Sequence, residues 1–170
     1  MQVRPATLRD AHAIAEIHVR TWQAAYTGIV PAEYLASLSI EKYEAMWLGC
    51  ILAGKPQLLV ATRADHLLGW VAFGASRDEG VGTDVAEIWA IYVAAESWGQ
   101  GVGRQLWAHA RPRMREQGFT SVGLWAFPDN SRAGHFYRAL GFEIEPSSSK
   151  TFELGGARLN EVRYVRRTDA

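Results

Sequence analysis

Glycines 99, 101 and 103 stand in the run WGQGVGR, residues 98–104, between an apolar segment ending Ile91-Tyr92-Val93 and a helical pattern. Glycine accepts the left-handed backbone of a tight turn. A helix that starts there presents orphan amides and the positive end of its dipole. Gly99, Gln100, Gly101, Val102 and Gly103 can therefore cradle an anion, and a diphosphate suits such a place. A phosphate loop of the GxxxxGK[ST] kind is absent, since no Gly-Lys-Ser or Gly-Lys-Thr occurs. The dinucleotide fingerprint also fails, because counting from Gly101 and Gly103 puts Leu106 where its third glycine belongs. What is left is [QR]xxGx[GA] after a strand, with Trp98 in the leading place. An ordinary strand-to-helix glycine turn satisfies that pattern too.

A second segment narrows the choice. Residues 121–143, SVGLWAFPDNSRAGHFYRALGFE, carry a strand, Asn130, a short helix with Ala133, Phe136 and Tyr137, and then Gly141-Phe142. Asn130 is a good helix N-cap and Gly141 a good helix terminator. Capping and core packing explain those residues singly, but not their order one helix and one strand after the glycine loop. The two segments together, roughly residues 86–143, resemble the GNAT N-acetyltransferases. The departure from that pattern is Trp98, which stands where the family has Gln or Arg.

The resemblance implies a single domain over residues 1–170 with an α/β (α+β) GNAT fold, whose central mixed sheet is splayed in the middle for coenzyme A. It implies acetyl-CoA as acyl donor, no metal, and a primary amine on a small molecule as acceptor, a peptide amine being the lesser choice. In layout the chain resembles small bacterial polyamine-acetylating relatives, more in the cofactor half than in the acceptor half. Backbone groups of Ile91, Tyr92 and Val93 are expected along the pantetheine arm, with Asn130 touching it. Trp98, Gly99, Gln100, Gly101, Val102, Gly103 and Arg104 are expected around the diphosphate, with the indole of Trp98 against the adenosine end.

Tyr137 is the expected general acid: a phenol of pKa about 10 is protonated at neutral pH and can donate to a leaving thiolate. Glu87 is the expected base or amine anchor. A carboxyl near pKa 4.3 and an alkylamine near 10.4 differ by about 6 units, roughly 8 kcal/mol, so simple attraction of the cation is the lighter demand. Trp22 and Tyr26 lie one helical turn apart, and Trp89 is two residues from Glu87. These rings either pack in the core or wall an amine pocket through cation–π contact. The rival function is a coenzyme A-binding sensor that has lost turnover.

The elements that must position these residues follow from periodicity. Residues 2–5 read as a strand. Thr7 caps a helix with Asp10 three residues on, and Ile14, Ile17, Thr21 and Trp22 share its inner face. A helical region covers about 31–54, with Cys50 in its core stripe. Residues 58–63 and 67–75 form a hairpin and 76–83 a polar loop. Residues 85–93 are the central strand, 102–117 a helix kinked by Pro112, and 121–127 the next strand. Residues 142–154 and 158–166 flank Gly155-Gly156 as a hairpin. The sum is about seven strands and about four helices.

Composition sets outer limits. The formal net charge is zero over 170 residues, so no basic footprint for nucleic acid exists. One cysteine excludes an intrachain disulfide and fits a reducing compartment. No stretch reaches transmembrane length and the first residues have no apolar h-region, so a cytoplasmic chain without a membrane partner is expected. The five histidines show no metal-ligand spacing, and no GxSxG elbow occurs. A homodimer is compatible with these residues, but nothing in them specifies one.

Overall fold

The computed structural model describes residues 1–169. In chain order the elements are β1 (Gln2–Pro5), α1 (Ala11–Ala25), α2 (Ala32–Ala36), α3 (Ile40–Ala53), β2 (Gln57–Arg63), β3 (His66–Ala75), β4 (Val85–Val93), α4 (Val102–Glu116), β5 (Ser121–Ala126), α5 (Ser131–Ala139), β6 (Glu143–Ile144), β7 (Lys150–Leu154) and β8 (Ala157–Arg167). Strands β1 to β4 form an antiparallel run, and β4 then pairs in parallel with β5. A parallel pair needs a crossover, which α4 supplies. β8 returns antiparallel to β5 and also carries β6 and β7 along its length.

Two covered faces explain the near-continuous apolar runs in β2 and β3. One face packs Leu59, Val71, Phe73 and Ile88 against Val102, Leu106 and Met114 of α4. The other packs Val60, Trp70 and Ala72 against Ile14 and Ile17 of α1 and Trp47 of α3. A third cluster, Val30, Leu35, Phe127 and Leu159, joins the α2 region to the β5 and β8 ends. Pro112 lies on the exposed side of α4, which continues through it to Glu116.

Several expectations are refined. The helical region 31–54 divides because one helix ends at its C-cap Ser37 and Ser39 caps the next, its hydroxyl accepting from the Lys42 amide at 3.2 Å. Five helices result instead of about four. The segment 142–154 divides at a turn where Ser147 has φ +60°, which makes eight strands instead of about seven. Thr7 and Asp10 bond reciprocally around a 3₁₀ turn ahead of α1, and Arg4 clamps Asp10 with two bonds of 2.8 Å. Cys50 is only half-buried, at the edge of the second cluster.

Candidate active site

β4 and β5 stay paired only from Val85↔Ser121 to Glu87↔Gly123, although β4 runs on to Val93 and β5 to Ala126. Where they part, a Cβ on residue 123 would lie 2.9 Å from the Arg163 guanidinium, so glycine is what lets that side chain lie across the strand. A cleft of about 620 Å³ opens beyond, walled by Ile91, Tyr92 and Val93 on one side and residues 124–127 on the other. β4 also carries a bulge at Trp89, because Ala72 faces Ala90 while Phe73 faces Ile88. The bulge switches the side-chain alternation. Ala86 and Ile88 face α4, and so do Ile91 and Val93, while Ala90 and Tyr92 face α1.

The cleft ends at the glycine loop, whose three glycines serve two purposes. Gly99 and Gly101 have φ of +75° and +80°, with open space where a side chain would start. They shape the turn and leave its front clear. A Cβ on Gly103 would meet the Phe136 ring at 2.8 Å, so this glycine lets α4 approach α5. The first bond of α4 runs from the Gln105 amide to the Gly101 carbonyl at 3.1 Å. The amides of Val102, Gly103 and Arg104 precede it, and no acidic side chain occupies the first turn. This is an anion cradle in conformation and in electrostatics, and it fits a diphosphate.

Trp98 lines the cleft, where a place beside the diphosphate and adenosine end is expected of it, and it is also engaged within the protein. Its indole N–H donates to the Val93 carbonyl at 2.8 Å, and the Arg132 guanidinium lies 3.9 Å from the ring centroid. The ring therefore ties the loop to the end of β4 and holds a cation at the rim, and one face of it is covered. The Val93 carbonyl also accepts from Thr21 Oγ1 at 3.3 Å, which commits that oxygen within the protein.

Asn130 caps α5, its side-chain oxygen accepting from the Ala133 amide at 3.2 Å, and its residue lines the cleft. Two turns on, Tyr137 packs beside Tyr164, Phe136 and Phe142 and also lines the cleft. Burial, with the nearby Tyr92, Tyr164 and Glu161, raises its pKa far above that of a free phenol. It therefore stays protonated across the physiological range.

A second pocket of about 420 Å³ shares Tyr26, Ile88, Trp89, Tyr92, Trp125 and Phe127 with the first. Glu87 lines it but does not face solvent, being only 3% exposed. Its carboxylate accepts from the Arg77 amide at 2.8 Å and from the Arg77 guanidinium through Nε and Nη2. Trp89 is likewise engaged: Arg77 lies 4.4 Å from its ring centroid, and its indole N–H reaches the Ala75 carbonyl. Trp22 donates to the Tyr92 hydroxyl at 2.9 Å and meets Tyr26 edge-on at 5.0 Å. Burial raises the pKa of Tyr26 well above its usual value and that of Tyr92 to about 12, so both hydroxyls remain neutral donors.

Behind Tyr92 lies His18, 6% exposed, whose Nδ1 accepts from the Trp47 indole at 3.1 Å. Burial lowers its pKa to about 3 and keeps it neutral. The residues that periodicity left unassigned are Arg77, Asp78, Lys150 and Glu161. They reach the pocket from the loop after β3, from β7 and from β8. The one hint lay in β8, where Leu159, Glu161 and Arg163 share a face that also carries an apolar residue.

Comparison with known proteins agrees with this geometry. The acetyltransferase (GNAT) family model matches residues 12–142. The chain is 34% identical over 160 residues to the uncharacterized N-acetyltransferase YuaI of Bacillus subtilis, covering 94% of this chain and 89% of that protein. It is 24% identical over 157 residues to the spermidine N(1)-acetyltransferase of Thermoplasma acidophilum, covering 89% of this chain and 94% of that one. The crystal structure of the PaiA N-acetyltransferase from Thermoplasma acidophilum in complex with coenzyme A superposes with a TM-score of 0.79. It covers 98% of both chains at 22% identity, so it bears on the fold.

Proposed function

The chain belongs to the acetyltransferase (GNAT) family, and we propose that it moves the acetyl group of acetyl-CoA onto a primary amine of a small molecule by direct attack in a ternary complex. The observation that carries this reading is the opening of β4 from β5 into a cleft that ends at the glycine loop, with Tyr137 along it and a second pocket sharing its walls. The amides at the start of α4 take the diphosphate, and the unpaired edge of β4 beyond Glu87 takes the pantetheine arm. Arg132, held on Trp98, adds positive charge at the same end.

In the reaction, the neutral amine nitrogen attacks the thioester carbonyl carbon. A C–N bond forms and the C–S bond breaks. An acceptor that arrives as its ammonium gives one proton to water before the attack, and the nitrogen gives a second to water after it, while the departing sulfur takes one from the Tyr137 hydroxyl, which water then reprotonates. A backbone amide of β4 beside the carbonyl oxygen stabilises the charge developing there, a contribution of about 3 kcal/mol per donor in related chemistry. Glu87 is proposed as an anchor and not as the base, because Arg77 already occupies its oxygens. It fixes Arg77 and sets the charge of the pocket wall.

Thiol release from acetyl-CoA in the presence of a panel of amines tests the assignment. Acetyl-amine product together with free thiol is expected. Acetyl-CoA binding with no thiol released by any amine would instead make the chain a coenzyme A sensor.

A further inference from the structure

The acceptor pocket is lined by three carboxylates and two cations, and four of these five groups are matched in pairs. Arg77 holds Glu87, and Lys150 holds Asp78. Arg163 adds a second contact to Asp78 at 3.4 Å. The Glu161 carboxylate makes no hydrogen bond and no ion pair among the described residues, although its backbone pairs with Lys150 of β7. It is half-buried on β8, where desolvation disfavours its charge and the charges of Lys150 and Arg77, each already bonded to another carboxylate, offset that cost only in part.

The groups that face Glu161 are Arg77 and Asp78 from the loop after β3, Glu87 and Tyr92 from β4, Tyr26 from α1 and Lys150 from β7. Their arrangement gives the pocket a direction. The side chains of Arg77 and Lys150 are 53% and 47% exposed, and each lies against an indole, Trp89 and Trp125 respectively. Positive charge thus stands at the outer side and an unmatched negative charge further in. Tyr26 and Tyr92, which feel the charge of Glu161, also line the donor cleft.

Building on the acetyl-transfer reading above, we propose that Glu161 binds the ammonium of the acceptor, and that the acceptor is a compact amine with one ammonium and an anionic far end. The ammonium supplies the partner that Glu161 lacks, with Trp22, Tyr26 and Phe152 as apolar walls. The far end then meets Arg77 and Lys150, which favour an anion and repel a second ammonium. A volume of about 420 Å³ suits a small molecule and not a folded protein segment.

Three four-carbon amines that differ only at the far end test this: γ-aminobutyrate, n-butylamine and putrescine, at saturating acetyl-CoA. The expected order of kcat/KM is γ-aminobutyrate, then n-butylamine, then putrescine, with about tenfold between first and last. Glu161→Gln should raise the KM for γ-aminobutyrate about a hundredfold, and Lys150→Glu should shift preference toward putrescine. Putrescine equal to or better than γ-aminobutyrate, turnover of none of the three, or an unchanged KM in Glu161→Gln each overturns the proposal. Calorimetry with acetyl-CoA on the same samples separates the failures. Intact binding leaves the donor site standing, whereas no binding by the wild type removes the acetyl-transfer reading itself.

Discussion

Between residues 88 and 104 one wall of the donor cleft is built from almost continuous chain, whereas the acceptor pocket takes four side chains from β4 and one or two each from the α1 end, the loop after β3, the β5 end, β7 and β8. The donor cleft works through backbone: a strand edge released by a short pairing register, and amides exposed by a glycine turn. The acceptor pocket works through charges and rings held in place by one another, such as Arg77 between Glu87 and Trp89. The two regions tolerate substitution differently. Backbone recognition survives many side-chain changes but fails when the turn itself is blocked. A pocket of interlocked side chains can change specificity with one substitution.

The donor side should break hardest at Gly101. Gly101→Glu places a side chain at φ +80° and a negative charge in front of the diphosphate amides. Acetyl-CoA affinity is expected to fall more than about a hundredfold by calorimetry, with the fold retained by circular dichroism. Retained affinity would place the diphosphate elsewhere.

Next in size is Tyr137→Phe, which keeps the ring packing and removes the proton. A fall in kcat of about a hundred- to a thousandfold is expected, with acetyl-CoA affinity within about twofold of wild type. Unchanged turnover would exclude Tyr137 as the acid and leave the cleft as a binding site only.

The region behind the acceptor pocket is probed by pH. His18 has a folded pKa of about 3, below the unfolded value near 6.5, so on acidification the unfolded chain takes its proton first. Stability is complete above about 6.5 and is lost as the pH falls toward 3, at up to about 1.4 kcal/mol per unit. Denaturant titrations between pH 6.5 and 4.5 should show this slope in the wild type and a flatter one in His18→Gln. Equal slopes would mean that another group titrates.

The smallest expected effect returns to the donor side. Trp98→Phe keeps a ring under Arg132 but loses the bond to the Val93 carbonyl. Acetyl-CoA affinity should weaken about three- to tenfold, the worth of one hydrogen bond. No change at all would show that the loop holds its place without the indole.

Much of the donor side is legible in the residues because its causes are local. A glycine turn, an N-cap at Asn130 and the strand over 85–93 each depend on neighbours a few positions away, and the strand bounds agree with the structure. The division of 31–54 between Ser37 and Ser39 is not legible in the residues, because a capping serine and one in a helix interior differ by one hydrogen bond. The task of Trp98 was hidden for another reason: its partners, Val93 and Arg132, lie on opposite sides of it in the chain.

By themselves the residues determined most of the element order and the glycine turn before α4, because φ preferences, caps and periodicity act over a few residues. They made Glu87 a base or amine anchor without showing its partner and gave Glu161 no role. Strand alternation says which side chains share a face, but not what covers that face. Only the tertiary structure brought Arg77 onto Glu87, matched Lys150 with Asp78, and left the Glu161 carboxylate without a hydrogen bond or ion pair among the described residues. Charge pairing depends on distances between strands far apart in sequence, and those distances exist only once the sheet has formed.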